Sequence, residues 1–346
     1  MNEAPIRAGI RAGFASQADW CRRLGAPFTA RVCDMLGQII DRSTATGRRV
    51  LDWTGDPVAD ALPLRLAGGL NARVRSGGLP ELAALYPPHD HGGGGALETA
   101  LAAALADPRL LPWLDSAPQT NEVARSAVLV AGLLVVAEAT GLPLALFELG
   151  ASAGLNLRLD HYAYRLGTLD LAPPGAPLTL TPIWDGPPPP PATIRVVGRR
   201  GVDLNPVDLT IAAARDRLLA YVWPEQRERV ARLEQAIAAF VADPVALDRD
   251  DAADWTEAEV APTDGVATVV FHSIAFQYFP DATKARVAAH LEAAGAAATA
   301  DAPLAWLRYE FDGDTLPTLR LRLWPGGDDR LLAHAHPHGA TIQWLA

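Results

Sequence analysis

Residues 147–156 read FELGASAGLN, and the rest of the chain can be organised around this short segment. The apolar run Leu144–Leu149 that leads into it is typical of a buried parallel strand. Gly150 and Gly154 allow the chain to turn tightly, and we expect a helix to begin after them. A strand, a glycine turn and a helix together predict a ligand site at the carboxyl end of a parallel sheet.

Strands and helices alternate around this turn, which predicts an α/β fold with a parallel sheet covered by helices on both faces. The predicted helices are 121–140, 206–221, 224–242 and 280–294, and the predicted core strands are Leu144–Leu149, 193–197 and 266–271. Four more predicted strands, 304–311, Thr318–Trp324, 330–334 and 341–345, follow without helices between them. Neighbours joined in this way are antiparallel, so we expect the parallel sheet to end in an antiparallel hairpin.

The first third of the chain has a different character. Apolar residues recur at helical spacing over 14–35, and further helical stretches are separated by glycine and proline pairs. We therefore predict a helical N-terminal domain over 1–117 and an α/β domain over 118–346. The proline-containing segment 162–192 is expected to be an insertion in the α/β domain.

Composition narrows the functional classes. The net charge of −10 disfavours nucleic acid as a partner, because an acidic surface repels phosphate backbones. The apolar run that starts at Ala127 is interrupted by Glu138 and followed by Gly141, so it predicts a buried helix rather than a membrane span. Cys21 and Cys33 match no zinc motif and are expected to be reduced thiols of a cytoplasmic protein.

The glycine turn has the spacing acid-x-Gly-x-Ser-x-Gly, with Glu148 as the acid. It resembles the first motif of the class I S-adenosylmethionine-dependent methyltransferases, with a serine in place of the middle glycine, and it does not fit the dinucleotide fingerprint. The resemblance implies a Rossmann-like sheet of the methyltransferase type, with S-adenosylmethionine as the cofactor. It also implies cofactor contacts from Glu148, Gly150, Ala151, Ser152, Gly154 and Asn156.

Later segments resemble further methyltransferase motifs in the same order along the chain. Asp203 matches the acid that accepts hydrogen bonds from the ribose hydroxyls, although it lies much farther from Gly154 than is usual. Asp203 is equally suited to capping a helix that begins near Pro206. Asp251 and Ala252 match the motif that frames the adenine.

The fourth motif corresponds to His272 and Ser273, which end the predicted strand 266–271. Together with Gln277 and Tyr278 they are expected to line the mouth of a cleft and to carry the catalysis. At this position His272 would accept a proton, contact the substrate or only form part of the cleft wall. The methyl acceptor is expected to be a small molecule, and the helical N-terminal domain a lid or a substrate platform.

The same turn also spells Gly-x-Ser-x-Gly, the nucleophile elbow of serine esterases, with Ser152 as the nucleophile. The segment 91–94 reads His-Gly-Gly-Gly and resembles the oxyanion loop of those enzymes, and His334, His336 or His338 would be the base. No strand precedes that segment to hold the loop rigidly, so the esterase stands as the alternative. A methyltransferase-like module that binds without catalysis is a further alternative. Histidines alone are weak evidence for a metal, and no metal site is predicted.

The chain as a whole resembles the DUF2332 proteins, a bacterial family of unknown function. The resemblance rests on the segments 119–126, 148–157, 199–206 and 223–224, and on residues 272–273 and 277–278. It runs nearly end to end, and it implies a methyltransferase-like domain without an established activity or substrate.

Overall fold

A computed structural model describes residues 3–89, 94–313 and 315–346, and the chain divides into two compact units. The helical unit consists of Met1–Thr120 and Ile211–Glu234, and the α/β unit consists of Asn121–Thr210 and Gln235–Ala346. All strands of the described residues lie in the α/β unit. The first boundary is close to the predicted residue 117. The segment Ile211–Glu234, however, belongs to the helical unit, whereas the sequence pattern places it in the α/β domain.

Helices and strands of the described residues are numbered here in chain order. The helices are α1 (Glu3–Arg23), α2 (Pro27–Ile39), α3 (Ala45–Leu51), α4 (Leu62–Arg75), α5 (Pro80–Ala83), α6 (Gly94–Ala104), α7 (Leu111–Leu114), α8 (Ser126–Thr140), α9 (Ala212–Ala220), α10 (Arg227–Ala242), α11 (Ala252–Glu259) and α12 (Asp281–Ala296). The strands are β1 (Leu144–Leu149), β2 (Ala163–Leu166), β3 (Leu169–Leu171), β4 (Thr179–Leu180), β5 (Ile183–Asp185), β6 (Val196–Asp203), β7 (Ala246–Arg249), β8 (Ala267–Ser273), β9 (Leu304–Glu310), β10 (Thr318–Trp324), β11 (Asp329–Ala335) and β12 (Thr341–Trp344).

Contacts between α4 and α9 explain why the later segment belongs to the helical unit. The side-chain amide of Asn71 on α4 donates hydrogen bonds to the carbonyl oxygens of Ala220 and Val222, at 2.9 and 3.0 Å. These carbonyls lie at and just beyond the end of α9, where intrahelical N–H partners run out. Gly68, also on α4, lies so close to the ring of Tyr221 that a Cβ there would be 2.5 Å from a ring carbon.

The α/β unit is built on a nine-stranded sheet with the strand order β5-β12-β11-β10-β9-β8-β1-β6-β7. The five strands from β9 to β7 are parallel, whereas β9, β10, β11 and β12 form an antiparallel succession. β8 is buried along its whole length, as expected for a strand covered on both faces. The predicted α/β class is confirmed. From β1 the chain adds β6 and β7 on one side and then β8 and β9 on the other, so the strand order reverses between β1 and β8.

The second parallel strand differs most from its prediction. β6 continues to Asp203 instead of ending at residue 197. Arg199 and Arg200 lie in the middle of β6, so the strand lacks the continuous run of apolar residues from which a buried strand is predicted. The two arginines are accommodated because they form ion pairs with Asp160 and Asp248.

Some predicted helices are also shorter than expected. The helix predicted over 206–221 begins only at Ala212, and the helix expected after the glycine turn is the 3₁₀ helix Leu155–His161. The helix predicted from residue 121 becomes α-helical at Ser126. The predicted insertion forms a small sheet with the strand order β3-β2-β4, followed by β5, which pairs with β12 at the far edge of the large sheet.

One described segment, Val123–Thr140, is long and apolar enough to cross a membrane by length and composition alone. Within the protein, 78% of it is buried, which is typical of a core helix that is apolar on all sides. The structure is therefore compatible with a soluble protein. Cys21 and Cys33 are free thiols buried in the core of the helical unit.

Candidate functional site

The carboxyl ends of four neighbouring parallel strands meet at one edge of the sheet. β1 ends with Glu148 and Leu149 and leads into the glycine turn, and β6 ends with Asp203. β7 is followed by the acidic pair Asp250-Asp251, and β8 ends with His272 and Ser273. The structure thus brings the residues of all four predicted motifs to one edge, next to the reversal of strand order where open α/β sheets bind ligands.

The glycine turn is attached to the end of β6 by its own backbone. The N–H groups of Gly150 and Ala151 both donate to the carbonyl of Val202, at 2.9 and 3.0 Å. The N–H of Ser152 donates to Asp203 Oδ2 at 2.9 Å. Three N–H groups of the turn are therefore used inside the protein and do not form a cradle for a phosphate, which needs several such groups aimed at it.

Both glycines of the turn have left-handed backbones and closely packed neighbours. Gly150 has φ +70°, and a Cβ there would lie 2.6 Å from Ala275 Cβ, on the segment after β8. Gly154 also has φ +70°, and a Cβ there would lie 2.9 Å from a methyl carbon of Leu247 on β7. Packing inside the α/β unit alone thus accounts for a glycine at each position.

Glu148 lies beneath this turn and is only 2% exposed. The side chain of Asn156 forms a hydrogen bond with it, and Asn156 Oδ1 in turn accepts a hydrogen bond from Ser126 Oγ at 2.9 Å. Burial raises the pKa of Glu148 well above its usual range, and the nearby Asp203 adds to this, against the opposing effects of Asn156 and Arg125. Glu148 Oε2 is buried and has no hydrogen-bond partner among the described residues.

Asp203 binds the glycine turn and does not cap a helix. Its Oδ2 accepts from Ser152, and its Oδ1 accepts from the N–H of Asn205 at 2.8 Å. The capping alternative at Pro206 is wrong, because the next helix begins at Ala212. The long separation from Gly154 is taken up by the insertion, so Asp203 still reaches the position next to the turn.

Asp251 immediately precedes α11. Its Oδ1 accepts hydrogen bonds from the N–H groups of Ala253 and Asp254, at 2.8 and 3.4 Å, and its Oδ2 accepts from Thr283 Oγ1 at 3.1 Å. This is the arrangement of a helix N-cap. Ala252, the first residue of the helix, is buried. The edge thus has a capping residue at the position expected to frame the adenine.

His272 lies below the edge and not at its mouth, since the side chain is fully buried. Its Nδ1 is 2.7 Å from Glu310 Oε1, and Trp306 Nε1 donates to its Nε2 at 3.2 Å. The ring also stacks on Phe276, with centroids 4.5 Å apart and an interplanar angle of 14°. A neutral ring with its proton on Nδ1 satisfies both hydrogen bonds, so both nitrogens of His272 are engaged within the protein.

Glu310 is the site residue that sequence reasoning missed. The same oxygen that meets His272 also accepts the N–H groups of Ala275 and Phe276, at 3.0 and 3.1 Å. Burial alone would raise the pKa of Glu310, but the hydrogen bonds from His272 and from the two N–H groups outweigh burial and lower it. Glu310 therefore holds the chain where it leaves β8. No local signal indicates this, because the groups that Glu310 binds lie on β8 and on the segment after it, more than 30 residues earlier in the chain.

Of the predicted catalytic residues, Gln277 and Tyr278 are the ones that reach the surface. They lie in the 3₁₀ helix Phe276–Tyr278, and Tyr278 is 78% exposed. Ser273 is buried, and its carbonyl accepts a hydrogen bond from Arg125 Nη1 at 2.8 Å. The residue that follows it, Ile274, has φ +49°, an unusual backbone for a β-branched side chain.

The esterase alternative has one feature in its favour, but among the described residues Ser152 lacks the base that a nucleophile needs. Ser152 has φ +53°, as a strained elbow requires. Its hydroxyl is buried, and in the part of the chain that the structure describes it bonds to no histidine and to no other group. Of the resembling oxyanion segment, 91–93 lie outside the described residues. His334 lies on β11 opposite Thr318. Over residues 3–89, 94–313 and 315–346, no three His, Cys, Asp or Glu side chains are grouped so as to hold a metal.

Comparison with known proteins gives a family and no activity. The family described as an uncharacterized protein conserved in bacteria, DUF2332, matches residues 11–344. The chain belongs to the DUF2332 family. Searches of the curated proteins and of the solved structures found no match.

Proposed function

We propose that this DUF2332 protein binds S-adenosylmethionine and transfers its methyl group to a small-molecule acceptor. The observation that carries the proposal is the order of acids along the sheet edge, with Asp203 ending the strand beside β1 and reaching the glycine turn. Numbered in chain order, the five parallel strands have the order 3-2-1-4-5. Rossmann-like sheets have this order and bind nucleosides where it reverses.

The chemistry of the edge favours this ligand over a phosphate-bearing nucleotide. Three N–H groups of the turn are already engaged, whereas each carboxylate oxygen of Asp203 can accept a second hydrogen bond. An edge rich in acceptors and acids suits a ligand with hydroxyl donors and positive charge. S-adenosylmethionine offers two ribose hydroxyls, an ammonium group and a sulfonium, and it contains no phosphate.

The contribution of the protein to such a reaction is alignment. The bound sulfonium supplies the methyl group, and transfer needs no covalent bond to the protein. Holding the acceptor in line with the methyl group and keeping water out would supply most of the rate. We propose that Gln277 and Tyr278, the predicted catalytic residues that are exposed next to the edge, contact the acceptor.

Calorimetry with S-adenosylmethionine and S-adenosylhomocysteine tests the proposal. We expect both to bind, and Asp203→Ala to weaken them at least tenfold, because ribose hydroxyls lose a charged acceptor worth about 1.5 kcal/mol or more. The matched control is Asp264→Ala. Asp264 is an exposed acid in the turn before β8, at the opposite edge of the same sheet, and it should leave both affinities unchanged. Absence of binding in the wild-type protein contradicts the proposal.

The serine esterase is the second candidate, because of the left-handed backbone of Ser152. Hydrolysis of p-nitrophenyl acetate that disappears in Ser152→Ala, together with no binding of the methyl donor, would establish it instead. Tight binding of S-adenosylmethionine without transfer to any tested acceptor would favour the non-catalytic module.

A further inference from the structure

Glu148 is a buried acid whose charge is poorly compensated. It is 2% exposed, and its Oε2 has no hydrogen-bond partner among the described residues. The titratable or charged groups that face it are Asp203 at the end of β6, Arg125 in the 3₁₀ helix before α8 and Tyr162 before β2. The guanidinium of Arg125 donates to the carbonyls of Ser273 and Pro337. A carboxylate at this place would therefore be buried beside a second carboxylate, which is costly.

A protonated Glu148 removes that cost while the site is empty. Burial, then the like charge of Asp203, raises its pKa well above the usual value of a glutamate. A positive charge arriving at the carboxyl end of β1 acts in the opposite direction. It stabilises the carboxylate through the low-polarity interior, where Coulomb interactions are much less screened than in water.

We propose that Glu148 releases its proton to the solvent when a cationic sulfonium binds at this edge, and that the site thereby prefers the sulfonium to the neutral thioether. This inference rests on the proposed function. Methyl transfer forms a bond between the acceptor and the methyl carbon and breaks the carbon–sulfur bond, whose electron pair stays on sulfur, so the product sulfur is neutral. Glu148 then takes a proton back, the compensating charge is gone and the product is held less tightly. Glu148 in this role is a specificity-determining residue that need not touch the ligand.

Proton release is measured by calorimetry of the full chain at about pH 7, once in phosphate and once in Tris. These two buffers differ in ionisation enthalpy. We expect S-adenosylmethionine to release up to about one proton more than S-adenosylhomocysteine. Glu148→Gln keeps the shape of the side chain and has no proton to lose. It should abolish the difference in proton release and reduce the preference for S-adenosylmethionine about tenfold. Glu138→Gln, the same change in the exposed last turn of α8, is the control and should behave as wild type.

The outcomes separate this inference from the function on which it rests. If both ligands bind with equal proton release, or if the difference survives in Glu148→Gln, the inference is wrong and the binding function stands. If neither ligand binds the wild-type protein, both are wrong. Retention of S-adenosylhomocysteine binding by Glu148→Gln shows that the variant is folded, and loss of only the sulfonium preference then supports the inference.

Discussion

Gly150→Ala tests how tightly the segment after β8 presses on the glycine turn. The new methyl group would meet two obstacles. A left-handed backbone costs an alanine about 1–2 kcal/mol. The Cβ would also lie 2.6 Å from Ala275 Cβ and 3.5 Å from the ring of Phe279. Carbon atoms in contact normally lie about 3.5–4 Å apart. Relieving an overlap of about 1 Å in a packed region costs about 1–3 kcal/mol more, so we expect a total loss of about 2–5 kcal/mol.

Gly141→Ala is the matched control within the same unit. Gly141 also has a left-handed backbone, with φ +65°, but a Cβ there would meet nothing within 4 Å. It should lose only the backbone part, about 1–2 kcal/mol. The free energies of unfolding of both variants are compared with that of wild type in urea. The comparison requires that the free energy fall with urea concentration at the same slope in all three proteins.

A double-mutant cycle then isolates the contact itself. Ala275→Gly removes the methyl group that the new Cβ would strike. In the Gly150→Ala background, Ala275→Gly should recover most of the extra loss of about 1–3 kcal/mol, after correction for the effect that Ala275→Gly has by itself. The coupling free energy between the two substitutions is then about 1–3 kcal/mol. If Gly150→Ala costs no more than Gly141→Ala, or if the coupling is zero, the described packing of the turn is wrong.

Three more predictions concern His272, Glu148 and Asp251. His272→Ala should lower the free energy of unfolding by about 3 kcal/mol in urea, because the buried Glu310 loses one of its three hydrogen-bond donors and the lost ring leaves a cavity; a loss below about 1 kcal/mol would contradict this. Since the folded protein holds the proton of Glu148 more tightly than the unfolded chain, the contribution of Glu148 to wild-type stability falls as pH rises above the unfolded pKa of about 4.3. Glu148→Gln should remove this loss, so the stability of the variant relative to wild type should increase with pH. If the two proteins show the same pH dependence, the raised pKa of Glu148 is wrong. Asp251→Ala should lower the free energy of unfolding by about 1–2 kcal/mol, because the helix loses its cap, and it should leave the affinity for S-adenosylmethionine unchanged. A large drop in affinity would instead support the predicted contact of Asp251 with the adenine.

Local patterns predicted the strands that are uniformly apolar or that alternate regularly between apolar and charged residues. The strand Leu144–Leu149 was expected with the bounds that β1 has, and the glycine turn follows it as expected. β10 was also predicted with its observed bounds, because leucines alternate with arginines along it. β6 could not be located from the same patterns, since the ion pairs that accommodate Arg199 and Arg200 come from other elements.

The order of motifs predicted where the residues of the candidate site lie on the sheet, but not which contacts they form. The edge of the sheet does bring Glu148, Asp203 and His272 together, as the order of motifs indicates. The hydrogen bonds that engage His272 come from Trp306 and Glu310 on β9. No pattern along a single strand shows that two residues of another strand will meet a histidine, so its burial had to come from the structure.

The helical unit is assembled from two pieces of chain that the ribosome delivers at different times. Until α9 emerges, the amide of Asn71 lacks the carbonyls of Ala220 and Val222, and the surface beside Gly68 lacks the ring of Tyr221. A nascent or truncated protein that stops at residue 120 is thus left with a bare, partly apolar α4 surface open to association with the wrong partner. Any fragment meant to fold as this unit needs Ile211–Glu234 joined to Met1–Thr120.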